Sequence, residues 1–284
     1  MKTFYKPSGK VSPVSLVFFV VISLTGIPLL SLLYVVIQEV IPLIYIKFLI
    51  TAGFGFAISY LIGYCVIHLG RVRSPLVAIL YGVGSATIAG YIHWAIWLNW
   101  IIAKDELSFQ TVFFLMTNPE VMLNYLKAIN ESGLWSVGKF GRDGALVNGA
   151  MLTFVWIVEA LIINVLAVIQ PLSFAKKPYC ESHNKWFIKS ELGQFNAVNY
   201  PNLLIEKIDA GDVKAFDIIT RPVEDLHSIW YLNTCDGDVS YLTILNMIPS
   251  YEKNKVQFTE KKVVNNMKIN REMKNALEER IIMI

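Results

Sequence analysis

The sequence predicts an all-α transmembrane four-helix bundle followed by a small soluble α+β domain. Two observations predict it. Four apolar runs are each long enough to cross a bilayer, whose core of about 30 Å needs roughly 20 helical residues. The charge is also unevenly spread. Residues 1–175 of the 284 carry 17 charged side chains, about 10%, whereas residues 176–284 carry 30, about 28%. The second figure is ordinary for a soluble domain and the first is not. The domains are therefore placed at 1–175 and 176–284. Overall 55% hydrophobic content and two charge regimes exclude a simple soluble enzyme, a secreted disulfide scaffold and a disordered chain.

The spans are expected at about 15–37, 43–69, 75–103 and 146–169. The first follows Lys2, Lys6 and Lys10, as a signal peptide would. Its apolar run is too long for that, and no small-residue cleavage site follows, so it reads as an uncleaved anchor. Lys and Arg mark every other flank: the N-terminus, Arg71 with Arg73, and Lys176 with Lys177. By the positive-inside rule both termini are cytoplasmic, and the loop 104–145 faces outward. This places a multi-pass protein in the bacterial inner (cytoplasmic) membrane. Tyr91, Trp94, Trp97 and Trp100 crowd the outer end of the third span, where an interfacial aromatic belt is expected.

Helix packing is read from small residues at spacing four. The second span carries Thr51, Gly55, Ser59 and Gly63, and the third carries Ala78, Gly82, Ala86 and Gly90. In lipid, close helix approach depends on such residues. The two stripes predict a tight antiparallel hairpin of spans two and three. They equally suit an interface between copies in a homo-oligomer. Glu159 is the acid near the middle of a span. Such a residue is costly there and faces a partner inside the bundle. Tyr60 and His93 lie near its depth on the neighbouring spans, and Asn164 shares its helix. One reading is a proton or cation site; the other is a carboxylic acid acting as structural glue between helices.

The outer loop contains an apolar run from Phe109. Asn118-Pro119-Glu120 then gives a helix start with a capping side chain, Pro at the first position and an acid in the first turn. That amphipathic helix should stop near Gly133. The glycine-rich stretch after it includes Gly138-Lys139 but lacks phosphate-loop spacing.

The tail reads as a strand at 185–189, short helices or turns at 202–210 and 212–219, and strands at 226–234 and 239–248. Asp236-Gly237 supplies the hairpin signal between the last two. A further strand at 256–269 carries lysines that mark an exposed edge, and a capped helix closes the chain. Strands and helices do not alternate cleanly, so no nucleotide-binding fold is expected. Cys180-x-x-His183 has half of a zinc-site spacing, and His227 with Cys235 would complete the set. The competing reading is ordinary thiols and surface imidazoles. No cofactor is expected, and no protease, nucleophile-elbow or nucleotide motif occurs. The tail has 15 charges of each sign, which gives no footprint for nucleic acid.

Three segments carry a resemblance: Phe4-Tyr5-Lys6-Pro7-Ser8-Gly9-Lys10, Trp156-Ile157-Val158-Glu159-Ala160, and Lys177-Pro178-Tyr179-Cys180-Glu181 with Asn184-Lys185-Trp186. They resemble an uncharacterised family of bacterial four-helix integral membrane proteins with a small cytoplasmic C-terminal domain, over most of the chain. The resemblance implies the architecture and brings no assigned activity. In that family a second Cys can stand where this chain has His183, so a thiol-rich metal site is implied there and altered here. The expectation is a membrane-anchored scaffold or sensor whose cytoplasmic domain binds a protein partner. The alternative is a small transporter or channel with a coupling carboxylate at Glu159.

Overall fold

The computed structural model describes residues 4–41, 44–103, 106–133, 135–137, 145–222, 225–237, 239–252 and 255–284. The Gly138-Lys139 pair and Lys2 lie outside them. Two compact units divide the chain. One is Ser8–Lys176; the other is Lys177–Ile284 together with the N-terminal segment through Pro7. The N-terminal segment thus belongs with the C-terminal unit. Phe4 makes an antiparallel bridge to Met267, and the Tyr5 amide donates to the Asn266 carbonyl at 2.9 Å.

The first unit contains four helical runs long and apolar enough to cross a membrane. The first is two helices, α1 (Val14–Leu24) and α2 (Gly26–Val40), joined at Thr25. The Thr25 hydroxyl bonds back to the Val21 carbonyl at 2.8 Å, the kind of back-bonding that bends a helix. The second is α3 (Ile44–Leu61), which continues as a π-helical segment, Ile62–His68. The third is α4 (Pro75–Ile102), started by Ser74, whose side chain accepts from the Val77 amide, and by Pro75 at the first position. Its 28 residues span roughly 42 Å. Between α4 and the last long helix lie α5 (Phe109–Thr117), α6 (Pro119–Ser132) and a small antiparallel pair, β1 (Trp135–Val137) and β2 (Ala145–Val147). Gly133, at φ 77, ends α6. Asn118 does not cap it with its side chain, which donates instead to the Phe114 carbonyl at 2.8 Å.

The fourth run, α7 (Gly149–Ala175), corrects the expected packing. Of the stripe residues, Gly55, Ser59, Gly63 and Gly82 meet α7, whereas Thr51 bonds Tyr34 on α2. A Cβ on Gly55 would sit 3.0 Å from Leu166 and 3.2 Å from the Ile163 backbone. On Gly63 it would meet the Phe174 ring at 2.9 Å and the Gln170 backbone at 3.0 Å. On Gly82 it would sit 2.9 Å from the Ala167 carbonyl oxygen and 3.1 Å from Val168 Cα. Gly90 has nothing within 4 Å, although Ala86 above it is buried. The physical reason is that a small residue lets any backbone approach and does not name which one. The matching face on α7 is Ile163, Ala167, Pro171 and Ala175, all buried at spacing four.

Pro171 lies in this contact face. It has no N–H for the Ala167 carbonyl, and that oxygen rests against the Gly82 backbone. The neighbouring Gln170 amide donates to the Ser59 hydroxyl oxygen at 2.9 Å. Ser59 on α3 and Gly82 on α4 thus meet α7 within a turn of Pro171.

The aromatics toward the end of α4 make specific contacts. The Tyr91 hydroxyl donates to the Met116 carbonyl at 2.7 Å, fixing α5 to α4. Trp94 meets Trp97 and Trp156 edge-on at 5.3 and 4.9 Å. Fully buried Asn99 donates to the Glu106 carbonyl and accepts from the Ser108 amide.

In the second unit a four-stranded antiparallel sheet has the order β5-β6-β7-β8. The strands are β5 (Ile188–Asn196), β6 (His227–Thr234), β7 (Ser240–Glu252) and β8 (Lys255–Ile269). A two-stranded hairpin, β3 (Tyr179–Cys180) with β4 (Lys185–Trp186), precedes them. β5 runs past the predicted end at 189, bulging between Glu191 and Gly193, where Gly193 takes φ 142. Helix α8 (Pro201–Asp209), a 3-10 turn (Val213–Ile218) and α9 (Arg271–Ile282) bury apolar residues with the sheet around Trp230 and Phe216. α9 starts where the Asn270 side chain accepts from the Met273 amide at 2.8 Å.

Candidate functional site

Two clusters of polar side chains stand out, one in each unit. The first surrounds Glu159. The Tyr34 hydroxyl on α2 donates to its Oε1. That hydroxyl also lies 2.9 Å from Thr51 Oγ1 on α3 and accepts from Gln38 Nε2 at 2.9 Å. Thr51 and Gln38 both reach the Lys47 carbonyl, at 2.9 and 3.3 Å. The proton inventory closes: the single Tyr34 proton goes to the carboxylate, and the amide of Gln38 supplies the donor that Tyr34 then accepts. Phe54 stacks on the Tyr34 ring at 4.3 Å and His93 meets it edge-on at 5.3 Å. The network joins α2, α3 and α7 through one carboxylate.

Of the intramembrane residues expected with Glu159, His93 reaches the network through the Tyr34 ring. Its own Nδ1 faces the Gly90 carbonyl at 2.9 Å. Tyr60 is not part of it: it is 61% exposed and stacks on Tyr64. Asn164 bonds back to the Ala160 carbonyl of its own helix. Depth along a span does not fix which way a residue faces. Tyr34 lies on the first span, outside the second and third spans where partners for Glu159 were expected. Its signal was present: Tyr34 and Gln38 are polar residues one turn apart in an otherwise apolar run.

The second cluster is Cys180, His183 and Cys235, whose ligand atoms all lie within 4.8 Å of one another. Cys180 ends β3 and His183 sits in the turn to β4. The turn is held by Asn184 at φ 53, by the Tyr179 hydroxyl donating to the Asn184 side chain, and by Tyr179 meeting Trp186 edge-on at 4.9 Å. Cys235 arrives from the β6–β7 turn. Cys180 Sγ lies 3.3 Å from both His183 Nδ1 and Ser182 Oγ. Burial raises the Cys180 thiol, but hydrogen bonds from Ser182, Cys235 and His183, including the His183 backbone amide, outweigh it and bring it down to about 6. Cys235 moves the other way, raised by burial and by the neighbouring Cys180. Lys185 and Asp236 pair beside the cluster, and the lysine holds the Asp236 carboxyl below the usual carboxylate range.

The expected fourth ligand is corrected. His227 opens β6 and Cys235 follows its far end, so the strand separates them by roughly 25 Å. His227 Nδ1 faces the Asp225 carbonyl at 2.7 Å, and its ring meets Phe258. Cys65 belongs to the π-helical segment of the other unit. Among the described residues, the donor set able to hold a metal is two thiols and one imidazole. No family model, curated protein or solved structure matches the chain.

Proposed function

We propose that the chain is a multi-pass protein of the bacterial inner membrane, a membrane-anchored scaffold or sensor whose C-terminal unit binds a cytoplasmic protein. The outer part of β8 carries this reading. The pairing of β6 with β7 stops at His227 and Met247, while β7 and β8 run on together to Glu252 and Lys255. Every side chain from Val256 to Lys262 is exposed, on both faces of the ribbon. Val256, Phe258 and Tyr251 lie on one face, 45%, 42% and 69% exposed, although Tyr251 bonds Asp225 at its hydroxyl. An uncovered edge strand is a template for an added strand. The N-terminal segment already uses the far end of this edge, through Phe4 and Met267. The partner fitting the remainder is an extended acidic segment, because Lys261 and Lys262 are exposed there.

Two observations support the orientation. The basic flanks Lys6, Lys10, Arg71, Arg73, Lys176 and Lys177 favour the cytoplasm. The Phe4–Met267 bridge supports placing these two segments on one side of a bilayer. A reporter fused at Ala128 is expected to signal from outside, and a cytoplasmic signal there overturns the orientation.

The partner is tested with a photo-crosslinking residue at Val256 in the full chain, in its native membranes. One specific protein adduct is expected. Reversing Lys261 and Lys262 to Glu should cut its yield about 10-fold, the effect of about 1.4 kcal/mol. No adduct under several growth conditions, or an adduct indifferent to the reversal, removes the reading.

A small transporter or channel is the second reading, favoured by the Tyr34–Glu159–Thr51 network, since a carboxylate inside a span is costly to keep. Flux in proteoliposomes is expected to drop with Glu159→Gln. Unchanged flux, or none in the wild type, removes it.

A further inference from the structure

We infer that Cys180, His183 and Cys235 form a binding site for a thiophilic divalent cation of the zinc type, ligated by two thiolates and one imidazole nitrogen. This deepens the sensor reading above and rests on it for its purpose. The site is assembled from distant sequence: a hairpin turn supplies two donors and the β6–β7 turn supplies the third. Local sequence alone would not bring them together.

The dimensions suit the ion. Tetrahedral arms of about 2.3 Å to sulfur and about 2.05 Å to nitrogen put S···N near 3.6 Å and S···S near 3.8 Å. Cys180 Sγ and His183 Nδ1 are 3.3 Å apart, and all three donors lie within 4.8 Å. Seating the metal takes side-chain shifts of up to about 1 Å from these separations. The surroundings suit it too. The Ser182 hydroxyl lies 3.3 Å from Cys180 Sγ and 3.0 Å from His183 Nδ1. Such outer bonds orient metal ligands and persist once the thiol protons are gone. Two thiolates neutralise a dication, and the adjacent Lys185–Asp236 pair cancels itself. Three protein donors leave a fourth position for water or an exchangeable ligand. That arrangement serves a responsive site better than a closed structural staple.

The test uses the purified full chain in detergent with thiols reduced. Zn²⁺ is titrated against a chromophoric chelator, and Co²⁺ serves as a spectroscopic probe. One equivalent per chain is expected, with a sulfur-to-cobalt charge-transfer band. Cys180→Ser and Cys235→Ser should each weaken Zn²⁺ by at least the roughly 10–100-fold that losing a mere supporting partner costs. His183→Ala should weaken it while keeping the sulfur band, and Cys65→Ser should change nothing. The inference is overturned by failure of the reduced wild type to compete for Zn²⁺. It is equally overturned by a Co²⁺ spectrum without the sulfur band, by binding that survives the double Cys180→Ser/Cys235→Ser change, or by Cys180 and Cys235 forming a disulfide in the presence of Zn²⁺. Metal binding that leaves the Val256 adduct unchanged keeps the site and removes its sensory link. The adduct without metal binding keeps the partner and removes the site.

Discussion

Trp230→Ala is expected to destabilise the C-terminal unit by about 3–5 kcal/mol, the usual cost of deleting a large buried ring. Trp230 is 1% exposed at the centre of the sheet, with Phe195 and Phe216 edge-on at 6.0 and 6.3 Å. Its indole N–H donates to Ser228 Oγ at 2.9 Å, and the Ser228 hydroxyl donates to the Asn196 carbonyl at 2.7 Å. The truncation therefore leaves a cavity and also removes the donor to a fully buried hydroxyl. A domain of this size has only about 5–15 kcal/mol in total. Hydrogen exchange on the full chain reads the effect. Amides of β6 and β7 should exchange at least about 100-fold faster, as 3 kcal/mol implies. Amides of α3 and α4 should be unchanged. Uniform acceleration in both units would show that their stabilities are not separate.

Gly82→Leu is expected to separate α4 from α7. Even the first added carbon would lie 2.9 Å from the Ala167 oxygen and 3.1 Å from Val168 Cα. Both are backbone atoms, so neither can rotate aside. Overpacking of this kind costs about 1–3 kcal/mol for one or two carbons, and leucine adds four. The matched control is Gly90→Leu, where nothing lies within 4 Å. Thermal unfolding of the full chain in detergent should show a large loss for the first change and a small one for the second. Equal losses would return the α4 stripe to a uniform packing role and contradict its contact with α7.

The contrast between those two glycines also shows what the sequence could convey. Span length and polarity are local properties, so the four apolar helices were legible, as was the capped helix that follows Asn270. The Asp236-Gly237 turn and the lysine-marked edge of β8 were legible for the same reason. Partner choice is not local. Gly55 and Gly82 announced close contact without naming α7, because a missing side chain carries no address. Glu159 was visible as an outlier, yet its bond to Tyr34 depends on how two helices are rotated. In the tail, Cys180, His183 and Cys235 were readable as metal-ligand types. His227 was grouped with them by residue type, although a full strand carries it to the opposite end of the sheet. Gly193 concealed the length of β5, since a bulge at positive φ looks like a strand end in sequence.

The Phe4–Met267 bridge has a consequence for synthesis. Its partners lie roughly 260 residues apart. At about 5–20 residues per second, Phe4 emerges from the ribosome tens of seconds before Met267 exists. This part of the β8 edge is therefore closed by a segment made well before its partner. Until then the N-terminal segment has no strand to pair with. A bulky fusion placed ahead of Phe4 would burden this late step, whereas one placed after Ile284 would leave the waiting segment free.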